Sequence, residues 1–339
     1  MSRIVIELTN RCNLRCGHCY DERHAGTGDL GIEIVEKILG EASACGIEHL
    51  CFTGGEPTLH RQFPEIVRRV GEAAYTFSFV TNGSTFLQTY PLLVGWRRWF
   101  KMVTFSLDGA HEATHDRLRG TGSFRRVMRA ASLCVVKELP FSLSMVVTAQ
   151  NRHEVSDMAR LAARLGSAGL RFVHLMPTPE TAVRGLDLSP DERRRVEADI
   201  WGLRRTAPIA IDMAPGYFHD APFFPCAPLE LEEFNVDYRG NLTLCCQLSG
   251  YAESEPDTDL VANLGDVSLR EAVRRFRGRV ARYLADKQER VTRGEFGMLD
   301  HFPCWYCVKY LGKTRPLLRI RNHPWAQASL GSGIEETGT

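Results

Sequence analysis

The sequence predicts a mixed α/β protein, a partial (β/α)6 TIM-like barrel followed by a smaller α+β domain. Short β-rich runs alternate with amphipathic stretches through about residue 215, as in parallel strands joined by helices. After Pro215 the chain becomes rich in Pro and aromatic residues and then carries a hairpin pattern. We therefore expect a barrel over residues 1–215, a second domain over 216–315 and a C-terminal tail over 316–339.

Six runs carry the strand pattern, and the helical patterns lie between them. The predicted strands are Ile4–Leu8, His49–Thr53, Thr76–Thr81, Met102–Leu107, Phe141–Val147 and Leu170–Leu175. The predicted helices lie near residues 33–44, 62–73, 86–96, 123–137, 152–166 and 190–206. In a barrel of this kind, chemistry gathers at the C-terminal ends of the strands.

In the second domain, Glu233–Cys246 is predicted to form a hairpin and residues 268–286 a helix. The tail drifts into Gly, Ser and Glu and is expected to be mobile at its end. The basic runs Arg193–Arg195 and Arg274–Arg277 are interpreted as solvated helix faces, because acidic residues interleave nearby.

Bulk composition excludes several classes of protein. The chain has 339 residues, 44% of them hydrophobic and 24% charged, with a formal net charge of +1. Such a balance gives no global field toward nucleic acid or a membrane surface. No secretory signal and no apolar stretch long enough to span a bilayer are present, so we expect a cytoplasmic protein with reduced thiols.

Eleven cysteines in a reducing compartment indicate metal or cluster ligands rather than disulfides. Cys45, Cys51 and Cys134 stand singly in apolar segments and are expected to be buried thiols. The remaining eight fall into two groups.

The first group is Cys12, Cys16 and Cys19, directly after the first strand. Three thiolates on one loop can hold three irons of a 4Fe–4S cube and leave the fourth iron open. The alternative is a structural zinc site with His18 as the fourth ligand.

At the end of the second predicted strand, Gly54 and Gly55 precede Glu56. The two glycines would let backbone groups approach a ligand closely, and Glu56 can accept hydrogen bonds from an ammonium group.

These residues and three later motifs resemble the radical S-adenosylmethionine (SAM) superfamily. The matching segments are Cys12, Cys16, Cys19, Gly54–Pro57, Thr81–Gly83, Ser106–Gly109 and His115–Gly120. The resemblance covers residues 1 to about 180. It implies that a reduced 4Fe–4S cluster cleaves SAM into methionine and a 5′-deoxyadenosyl radical, which removes a hydrogen atom from the substrate.

The resemblance also implies which residues bind SAM. Gly54, Gly55 and Glu56 would hold the methionine amine, and Ser106 and Arg119 would contact ribose or carboxylate. His18 takes the place of an aromatic residue against adenine, and the motif residues Asn82 and Asp108 complete the expected set. The fifth strand, Ser142–Thr148, departs from the family because it lacks the glycine-containing adenine motif.

The second group of cysteines can close a complete zinc or 4Fe–4S site. Its order resembles the SPASM/twitch extension of the same superfamily, which implies one auxiliary 4Fe–4S cluster. The implied ligands are Cys226, Cys245, Cys304 and Cys307. Adjacent strand residues point to opposite faces, so Cys246 is expected to be a spare thiol. It is either a packed residue or, as in epimerases of similar design, a catalytic hydrogen donor.

The leading hypothesis is a radical SAM enzyme with two 4Fe–4S clusters that acts on a peptide residue or a small sugar-like metabolite. The outcome would be epimerisation through Cys246, or oxidation or crosslinking through the auxiliary cluster. No leader-binding module precedes the first strand, which weakens the peptide alternative. A flavodoxin or ferredoxin is the expected reductant, with no membrane or nucleic-acid partner. The rival hypothesis is a non-catalytic zinc or iron–sulfur electron-transfer module.

Overall fold

The computed structural model describes residues 2–20, 25–252, 258–320 and 323–326. Within these residues the strands are β1 (Ser2–Arg11), β2 (Ala25–Asp29), β3 (Ile47–Gly54), β4 (Thr76–Thr81), β5 (Phe100–Ser106), β6 (Phe141–Val147), β7 (Gly169–His174), β8 (Ala210–Met213), β9 (Glu233–Val236), β10 (Asn241–Thr243) and β11 (Leu260–Asn263).

The α-helices lie mainly between the strands. They are α1 (Ile32–Glu41), α2 (Phe63–Glu72), α3 (Phe86–Gly95), α4 (Glu112–Arg119), α5 (Ser123–Lys137), α6 (Val155–Arg164), α7 (Pro179–Val183), α8 (Pro190–Thr206), α9 (Leu269–Thr292), α10 (Pro303–Tyr310) and α11 (Arg315–Leu318).

Within the described residues, all of these strands belong to one sheet. Its order is β11-β10-β9-β1-β3-β4-β5-β6-β7-β8, with β2 paired to β1. From β1 through β8 every neighbouring pair on this path is parallel, and β9 also runs parallel to β1. The parallel strands alternate with helices, so the predicted α/β fold with a partial TIM-like barrel is confirmed.

The six predicted strands correspond to β1 and β3–β7. The sequence analysis missed β8, a four-residue strand with a proline on either side at Pro208 and Pro215, and the Gly-containing β2. The predicted hairpin is present as β9 and β10, which pair antiparallel. Because β9 pairs with β1, the hairpin extends the barrel sheet. The domain boundaries at residues 215 and 315 stay a prediction.

The two faces of the sheet differ in polarity. Large apolar side chains such as Ile6, Phe52 and Phe79 point to one face and join the helices in a single core cluster. The opposite face carries half-buried polar residues, among them Cys51 and Ser78. Successive strand residues alternate between faces, so helices cover the outer face and the inner face of the curved sheet is polar.

The predicted C-terminal tail lies largely outside the described residues, and so does the end that is expected to be mobile, but residues 323–326 are described. The Trp325 ring is fully buried against Phe302 and Trp305. Its Nε1 donates a hydrogen bond to the carbonyl oxygen of Leu188 at 2.8 Å. The chain therefore returns to the core after α11.

Over the part of the chain that the structure describes, no helix combines the length and the apolar character that crossing a membrane requires.

Candidate functional site

The first cysteine loop begins immediately after β1. Cys12, Cys16 and Cys19 are all half-buried thiols. The Cys19 amide donates to the Cys16 carbonyl oxygen at 3.1 Å, which closes a tight turn, and the Gly17 amide donates to Leu118 of α4 at 2.9 Å. The chain direction of β1 thus brings the three thiols together at the C-terminal edge of the sheet.

Two side chains donate hydrogen bonds to these sulfurs, Asn82 just after β4 and Arg119 at the end of α4. Nη1 of Arg119 lies 3.8 Å from Sγ of Cys16, and Nδ2 of Asn82 lies 4.0 Å from Sγ of Cys12. Burial raises the pKa of Cys16 to about 11, an effect that Arg119 partly offsets. Donors aimed at sulfur stabilise thiolates, so this loop fits an anionic iron–sulfur cluster.

Asp108 connects this loop to the interior. Its carboxylate pairs with Arg119, accepts a hydrogen bond from the Val146 amide at 2.8 Å and lies 3.2 Å from Nε2 of His18. Burial alone would raise the pKa of Asp108, but Arg119 and the nearby histidines hold it below its ordinary value. Burial lowers the pKa of His18 to about 4, so its ring is neutral at pH 7. The structure therefore gives Asp108 and His18 a role in fixing Arg119 beside the cysteines.

Glu56 is the second buried carboxylate of the site. Its Oε1 accepts hydrogen bonds from the Thr58 hydroxyl at 2.6 Å and the Thr81 hydroxyl at 2.7 Å, and its Oε2 accepts one from the Asn82 amide at 2.8 Å. Burial raises the pKa of Glu56, although these donors partly offset the effect. These three hydrogen bonds fix the carboxyl group where β3 and β4 end.

The two glycines before Glu56 allow two backbone segments to lie very close together. A Cβ on Gly54, whose φ is +123°, would lie 2.3 Å from the Thr9 carbonyl oxygen, and one on Gly55 would lie 2.2 Å from that of Arg11. The Gly55 and Glu56 amides donate to the same two carbonyls at 2.8 and 2.7 Å. The end of β3 thus lies directly against the end of β1, and the expected close approach of these glycines to a ligand stays a prediction. Ser106, the remaining predicted SAM contact, ends β5 at the same edge of the sheet.

The second group of cysteines converges on one cavity. Cys226 precedes β9, Cys245 follows β10, and Cys304 and Cys307 lie one turn apart on α10. All four line a cavity with an empty volume of about 530 Å³, which includes space open to solvent. Its other walls are mainly apolar, and they include Leu229, Leu244, Leu248, Pro303 and Leu311. The space and the four thiols fit a fully cysteine-ligated cluster.

Donors also face this second group of sulfurs. The Tyr283 hydroxyl lies 3.2 Å from Sγ of Cys307, and the Gln247 amide donates to Sγ of Cys245 at 3.4 Å. Burial raises the pKa of Cys226 to about 12. Sequence reasoning missed Tyr283, which lies inside a long charged helix with no local signal for such a contact.

Within the described residues, no group of three or more His, Cys, Asp or Glu side chains is arranged to hold a single metal ion. In a 4Fe–4S cluster each thiolate binds a different iron, so the ligands do not have to meet at one ion. The assignment of Cys12, Cys16, Cys19 and of the second group as ligands stays a prediction.

Cys246 lies on the inner face of the sheet and does not line this cavity, although its thiol hydrogen-bonds that of Cys245, which does. Its Sγ is 3.9 Å from Oε1 of Glu233, which in turn pairs with Arg3. The two cysteines were expected to point to opposite faces of a strand, which was wrong, because Cys245 and Cys246 follow β10 rather than lie in it. The sequence analysis did not single out Glu233.

Among the single cysteines, only Cys134 is fully buried as predicted. Cys45 and Cys51 are half-buried. Cys51 is not in the outer core because it belongs to the inner-face positions of β3.

The site can be compared with known proteins. The family model described as Radical SAM superfamily matches residues 6–162. The AdoMet-dependent heme synthase of Methanosarcina barkeri is 29% identical over 224 residues, which are 63% of this chain and 62% of that protein. The mycofactocin maturase MftC of Mycobacterium tuberculosis is 29% identical over 218 residues, 64% of this chain and 55% of MftC. The chain thus spans less than two thirds of either relative.

Two solved structures share the fold. Streptococcus suis SuiB bound to precursor peptide SuiA has a TM-score of 0.64 and 15% identity, over 80% of this chain and 64% of SuiB. The protein anSMEcpe with bound AdoMet has a TM-score of 0.59 and 20% identity, over 80% of this chain and 76% of that chain.

Proposed function

Through residues 6–162 this chain belongs to the radical SAM superfamily, and from that membership we propose that it is an enzyme that cleaves SAM reductively and abstracts a hydrogen atom from a peptide. The observation that carries the proposal is the cysteine loop after β1, with Arg119 and Asn82 donating to two of its sulfurs. When bound, SAM and the cluster would supply the 5′-deoxyadenosyl radical.

The chain's own residues would bind the cluster, bind the cofactor and offset the charge of the thiolates. Cys12, Cys16 and Cys19 would each ligate one iron and leave the fourth for SAM. Glu56, whose carboxyl group is fixed at the neighbouring strand ends, would accept hydrogen bonds from the ammonium group of the cofactor. Arg119, held by Asp108, would offset the negative charge of the thiolates. A flavodoxin or ferredoxin is the proposed electron donor.

A peptide substrate is supported by two of the similar proteins, one named a maturase and the other solved with a precursor peptide. The polar, half-buried inner face of the sheet supports a substrate site there, because a closed barrel core would be packed with branched apolar side chains. A small sugar-like metabolite is the alternative substrate.

We propose an oxidative outcome, in which the auxiliary cysteines hold a second 4Fe–4S cluster. After loss of a hydrogen atom, the substrate would release one electron to this cluster and one proton to a base, which leaves a new bond or double bond. The shared cavity of the four cysteines supports this outcome. The inner-face position of the Cys246 thiol supports the redox-neutral alternative, epimerisation with Cys246 as hydrogen donor.

The test is anaerobic incubation with dithionite and SAM, followed by measurement of 5′-deoxyadenosine and methionine. We expect release from the wild-type chain and at least a hundredfold less from Cys16→Ser. Cys45→Ala is the matched control and should retain activity, because Cys45 lies in neither cysteine group. Metal analysis should give about eight irons per chain. Two zincs, no labile sulfide and no 5′-deoxyadenosine would favour the non-catalytic module instead.

A further inference from the structure

Lys287 of α9 is a buried cation beside the auxiliary cysteines. Its side chain is 1% exposed, and its ammonium nitrogen lies 4.1 Å from the ring centre of Phe224 and 4.6 Å from that of Tyr306. Two further aromatic rings, Phe296 and Phe223, lie within 5.6 Å. Among the residues that the structure describes, no carboxylate forms an ion pair with Lys287.

Arg193 of α8 is a second buried cation, and its guanidinium lies 5.8 Å from the ring centre of Phe302, two residues before Cys304. Arg193 is 3% exposed, so the prediction of a solvated face is wrong for this residue. Its Nη2 donates to the Leu175 carbonyl oxygen at 2.9 Å, and its guanidinium lies 4.2 Å from the Trp325 ring centre. Within the described ranges Arg193 also forms no ion pair with a carboxylate.

The carboxylates that act on these two cations already have partners. Asp300 pairs with Lys309, and Asp187 accepts hydrogen bonds from His323 at 2.9 Å and Thr181 at 2.8 Å. The other anionic groups that act on Lys287 are the thiols of Cys307 and Cys226. The auxiliary thiol that acts electrostatically on Arg193 is that of Cys304.

An isolated buried charge is expensive, and such charges are normally paired. Burial lowers the pKa of Lys287 to about 8 and that of Arg193 to about 10, so both are mainly protonated at pH 7. Lys287 contacts the ring of Phe224, which lines the cysteine cavity, so an anion held by these cysteines would supply the charge partner that the described carboxylates do not. A cluster held by four thiolates is anionic and becomes more so on reduction.

The first cysteine loop is arranged differently. Its cation, Arg119, is neutralised by the fully buried carboxylate of Asp108. Lys287 and Arg193 differ from Arg119 in this respect, because among the described residues neither has a carboxylate as an ion-pair partner. Positive charge near a cluster stabilises its reduced form and raises its reduction potential.

We infer that Lys287 and Arg193 are the counter-charges of the auxiliary cluster and set its reduction potential above that of the first cluster, so that it accepts an electron from the substrate. This inference rests on the proposed function and extends it, because it assigns the direction of electron flow to two positioning residues that touch neither SAM nor substrate.

The experiment is a redox titration of the full chain followed by electron paramagnetic resonance. It uses the Cys12→Ser/Cys16→Ser/Cys19→Ser background, in which only the auxiliary cluster contributes a signal. We expect Lys287→Met and Arg193→Gln each to shift the reduction equilibrium at least tenfold toward the oxidised form, which is about 59 mV for one electron. Lys287→Arg and Arg193→Lys keep the charge, so the reduction potential of these variants should stay close to that of the wild type.

The matched control is Arg275→Gln. Arg275 lies on the same helix, about 18 Å from Lys287 along the axis, where it is exposed and paired with Glu271. The Arg275→Gln variant removes one positive charge far from Lys287, so the reduction potential of the auxiliary cluster should stay unchanged. If the neutral variants fail to load the cluster while the charge-keeping variants load it, the counter-charge role is also supported.

The inference is overturned if the neutral variants load four irons with an unchanged potential, or if the charge-keeping variants fail as the neutral ones do. It also falls if the triple-serine background holds no iron and sulfide. In that case the radical chemistry is judged separately, by 5′-deoxyadenosine release from the wild-type chain.

Discussion

The guanidinium of Arg119 donates from Nη1 to the Sγ of Cys16 at 3.8 Å, while its Nε bonds the carboxylate of Asp108. Arg119 comes from α4 and Cys16 from the loop after β1, 103 residues earlier in the chain. This contact joins the cysteine loop to a fully buried acid, and it leads to the first prediction.

Replacing Arg119 with Gln should destabilise the folded chain by about 3–5 kcal/mol, because Asp108 would be left buried without its cation. The measurement is anaerobic urea unfolding, together with the iron content of the purified variant. Arg117→Gln is the control, since Arg117 lies on the same helix with an exposed side chain. Equal stability of the two variants would contradict the importance of the buried pair.

The second prediction concerns pH. His115 is fully buried, its Nδ1 accepts a hydrogen bond from the Asp108 amide at 2.9 Å, and burial lowers its pKa to about 4. The unfolded chain takes up this proton near pH 6.5, so stability is present above that pH and is lost as pH falls toward 4. Between pH 7 and pH 5, His115 should account for a loss of about 2 kcal/mol.

Urea midpoints at pH 7 and pH 5 test this, with His115→Gln as the variant. The stability of the variant should depend less on pH by roughly one proton. A pH dependence identical to that of the wild type would show that His115 is not the titrating group.

The third prediction concerns Glu56. Glu56→Gln keeps the size of the side chain but replaces one carboxyl oxygen with an amide NH2 that cannot accept from an ammonium group, so we expect SAM binding to weaken at least tenfold, about 1.4 kcal/mol. Thr58→Val is the control, because it removes one hydrogen bond to the carboxyl group and leaves both of its oxygens. Affinity can be read from 5′-deoxyadenosine release against SAM concentration. Unchanged affinity in Glu56→Gln would exclude a role in holding the cofactor amine.

The fourth prediction separates the two chemical outcomes. The oxidative outcome needs no hydrogen donor, so Cys246→Ala should keep turnover within about twofold of the wild type. Reactions in D2O provide the second readout. A wild-type product with an inverted centre that carries solvent deuterium, lost in Cys246→Ala, would instead establish epimerisation.

Much of the fold could be predicted from local patterns. The alternation of apolar residues located β1 and β3–β7, because each strand has one face on the outer core. The pairing of β9 with β1 could not be predicted, since it joins residues about 230 positions apart, among them Arg3 and Glu233, without a local signal. The strand β8 is too short for alternation to stand out.

The candidate site could also be predicted only in part from the sequence. The spacing of Cys12, Cys16 and Cys19 located the first group of thiols, because all three fall on one loop. The members of the second group lie on separate elements and were chosen from the resemblance to the SPASM/twitch extension. Lys287 and Arg193 could not be identified, because each stands among other charged residues on a helix and only the folded chain buries them. The roles of Gly54 and Gly55 required the positions of the β1 carbonyls.

The central claim is that the first cluster has one iron without a protein thiolate. The most direct measurement is the electron paramagnetic resonance spectrum of the dithionite-reduced chain, before and after SAM is added. The account predicts that SAM changes the cluster signal in the wild type, and that Cys16→Ser lacks this change. A signal that SAM leaves unaltered, or a cysteine loop filled by zinc, would contradict it.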